Sequence, residues 1–159
     1  ISTNTTGRIM NWYKLHKKAD TKRKISFDFD STLTKPEYDE EDGIWISRGP
    51  NEPVISKMRK YYSEGNTIII VTSRSDKDME EVRHFVEKYD LPVSAIYNTN
   101  GGDKAPLLKS LGVHLHFDDD GREIELADAY NVNVERVWHP FDLEMRNETD
   151  QSPKGKDLV

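Results

Sequence analysis

The run TIIIVT at residues 67–72 places four β-branched apolar residues in a row. A strand with one wet face alternates polar and apolar side chains; an unbroken apolar run marks a strand covered on both faces, as in a parallel sheet between helical layers. Working outward, residues 53–63 carry Val54, Ile55, Met58 and Tyr62 at helical spacing, with Asn51 as a cap and Gly65 as a stop. Before them, residues 24–29 (KISFDF) read as a buried strand. After the central run, Ser75 opens a helix whose first turn holds Asp76 and Asp78, favourable to the helix dipole, and whose apolar stripe is Met79, Val82 and Val86. Residues 94–97 form a short strand, 103–111 a helix stopped by Gly112, 113–117 (VHLHF) a strand, 122–129 a helix and 132–138 a last strand. This alternation predicts an α/β fold: a doubly wound parallel sheet, with 24–29 central between 67–72 and 113–117. In such sheets the functional site lies at the carboxyl ends of the strands.

The 159 residues suit one domain, and a net charge of −6 argues against non-specific nucleic-acid binding by the whole surface, though not against a local basic groove. Without cysteine there is no disulfide framework, zinc–thiolate site or thiol nucleophile, a composition compatible with the cytosol. No run approaches the roughly 18 apolar residues of a membrane span, and residues 1–24 lack the apolar stretch of a secretory signal. The opening Ile leaves room for a segment upstream. The expected division is a polar, basic segment at 1–23, a folded domain at 24–146 and a polar tail at 147–159. Within the first, residues 11–24 read as a short amphipathic helix or a linker.

Three strands end in groups suited to phosphate chemistry. The first runs into Asp28 and Asp30, which share one face if the chain is still extended there. The second ends in Thr72, Ser73 and Arg74, and the strand at 113–117 ends in Asp118, Asp119 and Asp120. Carboxylates gathered at one edge repel unless a hard cation joins them; magnesium fits, because it takes few protein carboxylates and leaves room for a phosphate. Lys104 is placed to reach the same edge, with Lys109 as the alternative. Asp120 reads as the cap of the next helix. His114 and His116 are expected to face a neighbouring helix or solvent, and Arg74 is either a solvated turn residue or a contact to substrate phosphate.

Taken in order, these pieces resemble the haloacid dehalogenase superfamily of phosphohydrolases. Asp28-Phe29-Asp30-Ser31-Thr32 is similar to its first motif, Thr72 after an apolar strand to its second, Lys104 to its third, and Phe117-Asp118-Asp119 to its fourth. The resemblance runs from residue 24 to about residue 138 and implies a Rossmann-like fold. It implies that Asp28 is the nucleophile and Asp30 the acid and base, and that Thr72 and Lys104, with Ser73 and Arg74, hold the phosphoryl group. It further implies that Asp28, the carbonyl of Asp30, and Asp118 or Asp119 bind Mg2+.

Residues 31–50 are too few for a folded cap, and 72–104 leave room for one helix and one strand, so the enzyme is expected to be capless, with a flap at 35–48 bearing Tyr38, Trp45 and Arg48. An open site admits a nucleotide or a nucleic-acid end as the phosphorylated substrate, and equally a phosphoprotein or a small metabolite. Asp118-Asp119 followed by Glu123-Ile124-Glu125-Leu126 is similar, more faintly, to the phosphatase domain of polynucleotide kinase-phosphatases. Tyr38 and Trp45 either stack a base or pin the flap. The alternative class is a binding module that has lost activity, against which the intact Asp28 and Asp30 argue.

Overall fold

The computed structural model describes residues 22–139. The expectations for residues 1–21 and 140–159, including the N-terminal segment and the polar tail, lie outside them.

Five strands form one parallel sheet: β1 (Lys24–Phe27), β4 (Thr67–Thr72), β5 (Ala95–Asn98), β6 (Leu115–Asp118) and β7 (Val134–Arg136), in the order β5-β4-β1-β6-β7. Between β1 and the first helix, β2 (Thr34–Asp39) and β3 (Ile44–Pro50) make a separate antiparallel hairpin. The helices are α1 (Glu52–Ser63), α2 (Glu80–Lys88), α3 (Ala105–Ser110) and α4 (Gly121–Ala129).

The alternation along β4 explains why its sequence is apolar throughout. Ile68 and Ile70 face one core with Val54, Ile55 and Met58 of α1 and Val82 and Phe85 of α2. Ile69 and Val71 face the other, with Leu108 of α3 and Ala127 of α4. Each face is closed by two helices, and truncating Ile70, fully buried, to Ala is expected to cost about 2–5 kcal/mol. Phe27 and Phe117 stack across β1 and β6 at 4.6 Å, tying the centre of the sheet to its second half.

The order of the strands locates the site. The chain steps outward from β1 through β4 to β5, then returns to the other side of β1 for β6 and β7. A right-handed crossover must change faces when the direction reverses, which is why α1 and α2 lie on one face and α3 and α4 on the other. The crevice therefore opens where β1 and β6 end.

Several elements are shorter than their patterns suggest. The helix expected from Ser75 begins with a separate tight turn, Asp76–Asp78, and α2 proper starts at Glu80. The region expected as a helix over 103–111 is helical only over Ala105–Ser110, and the last strand contracts to Val134–Arg136. Asn51 occupies the cap position of α1 without capping it; its side chain donates to the carbonyl of Thr32 instead, fastening the hairpin to the turn after β1.

Candidate active site

Regular pairing of β1 ends at Phe27, yet the N–H of Asp28 still donates to the carbonyl of Phe117 at 2.9 Å, so Asp28 leaves the sheet beside the end of β6. The chain then turns through Phe29–Leu33, broken at Asp30 and Ser31. Ser31 sits at φ 61°, an unusual place for a residue with a Cβ; its N–H donates to the hydroxyls of Thr34 and Ser47, each at 2.9 Å. This turn separates the two carboxylates that the sequence placed two apart. Asp28 points into the crevice, while Asp30 is taken by Arg74, whose Nε and Nη2 donate to its two oxygens at 2.9 and 2.8 Å.

Around Asp28 the groups converge. Lys104, the residue before α3, bridges two acids: its Nζ donates to Asp28 Oδ1 at 2.7 Å and to Asp118 Oδ2 at 2.8 Å. Thr32 donates through Oγ1 to Asp28 Oδ2 at 3.0 Å and lies 3.3 Å from Asp119 Oδ1. Oxygens of Asp28, Asp118 and Asp119 all lie within 4.8 Å of one another. Lys109, the alternative to Lys104, is exposed on α3. Thr72, buried at the end of β4, accepts the N–H of Arg74 on its hydroxyl at 3.2 Å, and Ser73 is exposed at the rim. Asp120 caps α4 by accepting from the N–H of Arg122, as its position predicts.

The electrostatics follow from this packing. Burial, and next the neighbouring charge of Asp118, raises the Asp28 carboxyl well above the usual carboxylate range despite Lys104. Asp118 goes the other way: burial opposes its charge, but the hydrogen bond from His116 and the charge of Lys104 outweigh it and hold the carboxyl below its ordinary value. Lys104 is likewise buried, and Asp28 and Asp118 overcome that burial to keep it firmly protonated. With Asp28 ionised, three carboxylates against one ammonium leave two negative charges, which one divalent cation would offset. The donors are all hard oxygens, so this set fits Mg2+.

The alternating pattern expects His116 to face a neighbouring helix or solvent. Solvent is excluded, because the ring is fully buried, and it bonds one acid and one hydroxyl: Nε2 meets Asp118 Oδ2 at 2.8 Å and Nδ1 meets Ser26 Oγ at 2.6 Å. The signal was present, because residues 116 and 118 share a face of one strand. Glu123, not singled out as a site residue, accepts the backbone N–H of Lys104 at 3.1 Å and steadies the start of α3. His114 does lie at the surface, accepting the N–H of Lys24.

No protein-family model and no curated protein sequence matches the chain. By structure it superposes on a chain of a Pnkp1/Rnl/Hen1 complex with a TM-score of 0.56 and 17% identity, over 75% of this chain and 47% of that one. A second structure, of the Pnkp1/Rnl/Hen1 RNA repair complex, gives 0.56 and 18% over 75% and 43%. What the match shows is a shared fold, a Rossmann-like parallel α/β sheet. A looser match, with a TM-score of 0.40 and 20% identity over 67% of this chain and 62% of the other, is to a probable YrbI family phosphatase from Pseudomonas syringae. The chain spans less than half the length of the complex chains it matches. Among the described residues no folded cap intervenes between the strands, and no helix is long and apolar enough to cross a membrane.

Proposed function

We propose that the chain is a magnesium-dependent phosphomonoester hydrolase working through a phosphoryl group carried on Asp28. The observation behind this is Lys104 held between Asp28 and Asp118, with Asp119 in the same cluster, at the carboxyl edge where β1 and β6 end. Asp28, the carbonyl of Asp30, and Asp118 or Asp119 would hold the ion, which when bound shields an anionic substrate from an anionic nucleophile.

The residues divide the reaction into two displacements. An oxygen of Asp28 attacks phosphorus while the bond from phosphorus to the ester oxygen breaks, and Asp30 gives that leaving oxygen a proton. Water then attacks the same phosphorus, Asp30 takes its proton, and the bond to Asp28 breaks, restoring the carboxylate and freeing inorganic phosphate. Lys104, Thr72 and Ser73 meet the charge on the non-bridging oxygens, with Arg74 joining them as Asp30 is released.

For the leaving group we favour a nucleotide or a nucleic-acid end. What supports this is a groove of about 400 Å³ lined among others by Lys35, Trp45, Arg136, Trp138 and His139, whose Nε2 lies 3.6 Å from Asp119 of the cluster; the lining mixes aromatic and basic groups suited to bases and phosphates with the ion pair of Lys57 and Glu135. The structural match to chains of an RNA repair complex points the same way.

The test is turnover of an aryl phosphate and of a panel of nucleotides, 3′- and 5′-phosphorylated oligonucleotides, sugar phosphates and phosphopeptides. Activity should require Mg2+ and cease with chelator, and Ca2+ should inhibit, because its looser coordination spoils the in-line geometry. Hydrolysis that survives exhaustive chelation would refute the metal site. A panel on which only phosphopeptides or sugar phosphates turn over would move the substrate assignment.

A further inference from the structure

The crevice is backed by two buried polar groups, Ser26 and His116, that the reaction scheme above does not use. Ser26 on β1 is the register partner of His116 on β6, and both are buried, at 0% and 1% exposure. Elsewhere the two faces of this sheet are covered by aliphatic and aromatic side chains, which cost nothing to bury, whereas an imidazole and a hydroxyl there need partners. They have them: Ser26 Oγ to His116 Nδ1, His116 Nε2 to Asp118 Oδ2, Asp118 Oδ2 to Lys104 Nζ, and Lys104 Nζ to Asp28 Oδ1. Asp118 Oδ1 is held as well, accepting the N–H of Asp120 at 3.0 Å.

We infer that His116 is a positioning residue for the cation site, fixing the Asp118 carboxylate from behind through Nε2–H, with Ser26 selecting the ring tautomer that makes Nε2 the donor. The inference rests on the metal-dependent reading above. Its physics is local. A carboxylate with one donor removed in a dry interior has no water to replace it, so it rotates toward what remains, here Lys104 and the backbone of Asp120. The oxygens then no longer face a common point with those of Asp28 and Asp119. Ser26 contributes because a hydroxyl donating to Nδ1 leaves the imidazole proton on Nε2; were the proton on Nδ1, Nε2 and Asp118 would present two acceptors to each other. Partners of this kind, one step behind a metal ligand, typically change metal affinity by roughly 10- to 100-fold when lost.

The test measures Mn2+ binding to the metal-stripped full chain by electron paramagnetic resonance, separately from turnover. A Gln side chain can place its amide nitrogen near the position of Nε2, whereas that of Asn falls near Nδ1. His116→Gln should therefore keep affinity within a few-fold of wild type, and His116→Asn and His116→Phe should lose roughly 10- to 100-fold, with Ser26→Ala between them. Should His116→Phe fail to fold, the Gln and Asn pair still decides the matter. In 15N-labelled wild-type protein, the His116 ring should show a protonated Nε2 and a bare Nδ1. Equal affinity in wild type, His116→Gln and His116→Asn, or a proton on Nδ1, overturns the inference while leaving the phosphohydrolase reading intact. A wild type that binds no Mn2+ overturns both.

Discussion

Arg74 holds Asp30 by both oxygens, at 2.9 and 2.8 Å, while its Nη1 is anchored to Glu81 at 2.8 Å and its guanidinium lies over the ring of Phe29. A planar fork is what this geometry requires, and an ammonium cannot replace it. Arg74→Lys should lower turnover by roughly 10- to 100-fold, more for an alkyl phosphate, whose leaving oxygen needs a proton, than for an aryl phosphate, whose leaving oxygen needs little. Comparing kcat on the two esters checks it. Equal losses on both would mean that Arg74 serves only the phosphoryl oxygens and that its hold on Asp30 plays no part in the proton transfer.

Removing the nucleophile separates this scheme from direct attack by water. Asp28→Asn keeps the shape of the side chain, and activity should drop to background, because among the described groups no other is placed to attack. Asp30→Asn should still transfer a phosphoryl group from a good leaving group but stall in releasing it. Mass spectrometry of the quenched Asp30→Asn protein should find the added phosphoryl on Asp28. Near-normal turnover in Asp28→Asn, or a phosphoryl group on His114, His116 or Ser31, would end the proposal.

Lys104 is 4% exposed in its side chain and is the cation between Asp28 and Asp118. Its replacement by Met leaves the buried Asp28 and Asp118 without the cation they share, a loss of up to about 3–5 kcal/mol where both are ionised. Urea unfolding of Lys104→Met without metal should show a deficit of that order, and saturating Mg2+ should recover part of it. A variant as stable as wild type would mean that Lys104 does not compensate the buried charge of Asp118.

The raised value of Asp28 gives the metal-free protein a distinctive pH response. Burial and Asp118 make the folded chain keep a proton that the unfolded chain releases near about pH 4, so above that point stability declines as pH rises toward the folded value. Asp118 has the opposite sign: its depressed carboxyl contributes fully above about pH 4 and is lost only as pH falls below it. Thermal melting without metal should therefore occur at a higher temperature in mildly acidic than in neutral buffer. Mg2+ should flatten that difference by supplying the missing positive charge. A melting temperature that is flat across this range without metal would contradict the crowding of charge around Asp28.

The architecture could be read in advance because its signals are periodic. The unbroken run at β4 demanded cover on both faces, and the structure supplies it from α1 and α2 on one side and α3 and α4 on the other. Asp118 and Asp119 were placed at the same edge as Asp28 by the same logic, because the ends of parallel strands share one edge; Lys104 was placed there by its position before a helix, with Lys109 left open. What could not be read was which way each group turns. Asp30 depends on the break at Ser31, a backbone event with no period, and on an arginine 44 residues later. His116 was missed for a different reason: an alternating strand usually has a wet face, and only the two-sided burial of this sheet makes its polar members interior. Asn51 shows the limit of capping rules: its side-chain amide donates to the carbonyl of Thr32, and its oxygen accepts no N–H of the helix.

The central strand is early in the chain and late in the fold. One edge of β1 is paired by β4, but the other waits for a segment 90 residues further on, where His116 meets Ser26. Parallel pairing over such a distance forms slowly, and until it does Ile25 and Phe27 sit on an open edge that other chains can extend. Substitutions that weaken β6 will thus be felt first during biosynthesis, as aggregated protein and low yield, before any measurement of catalysis registers them.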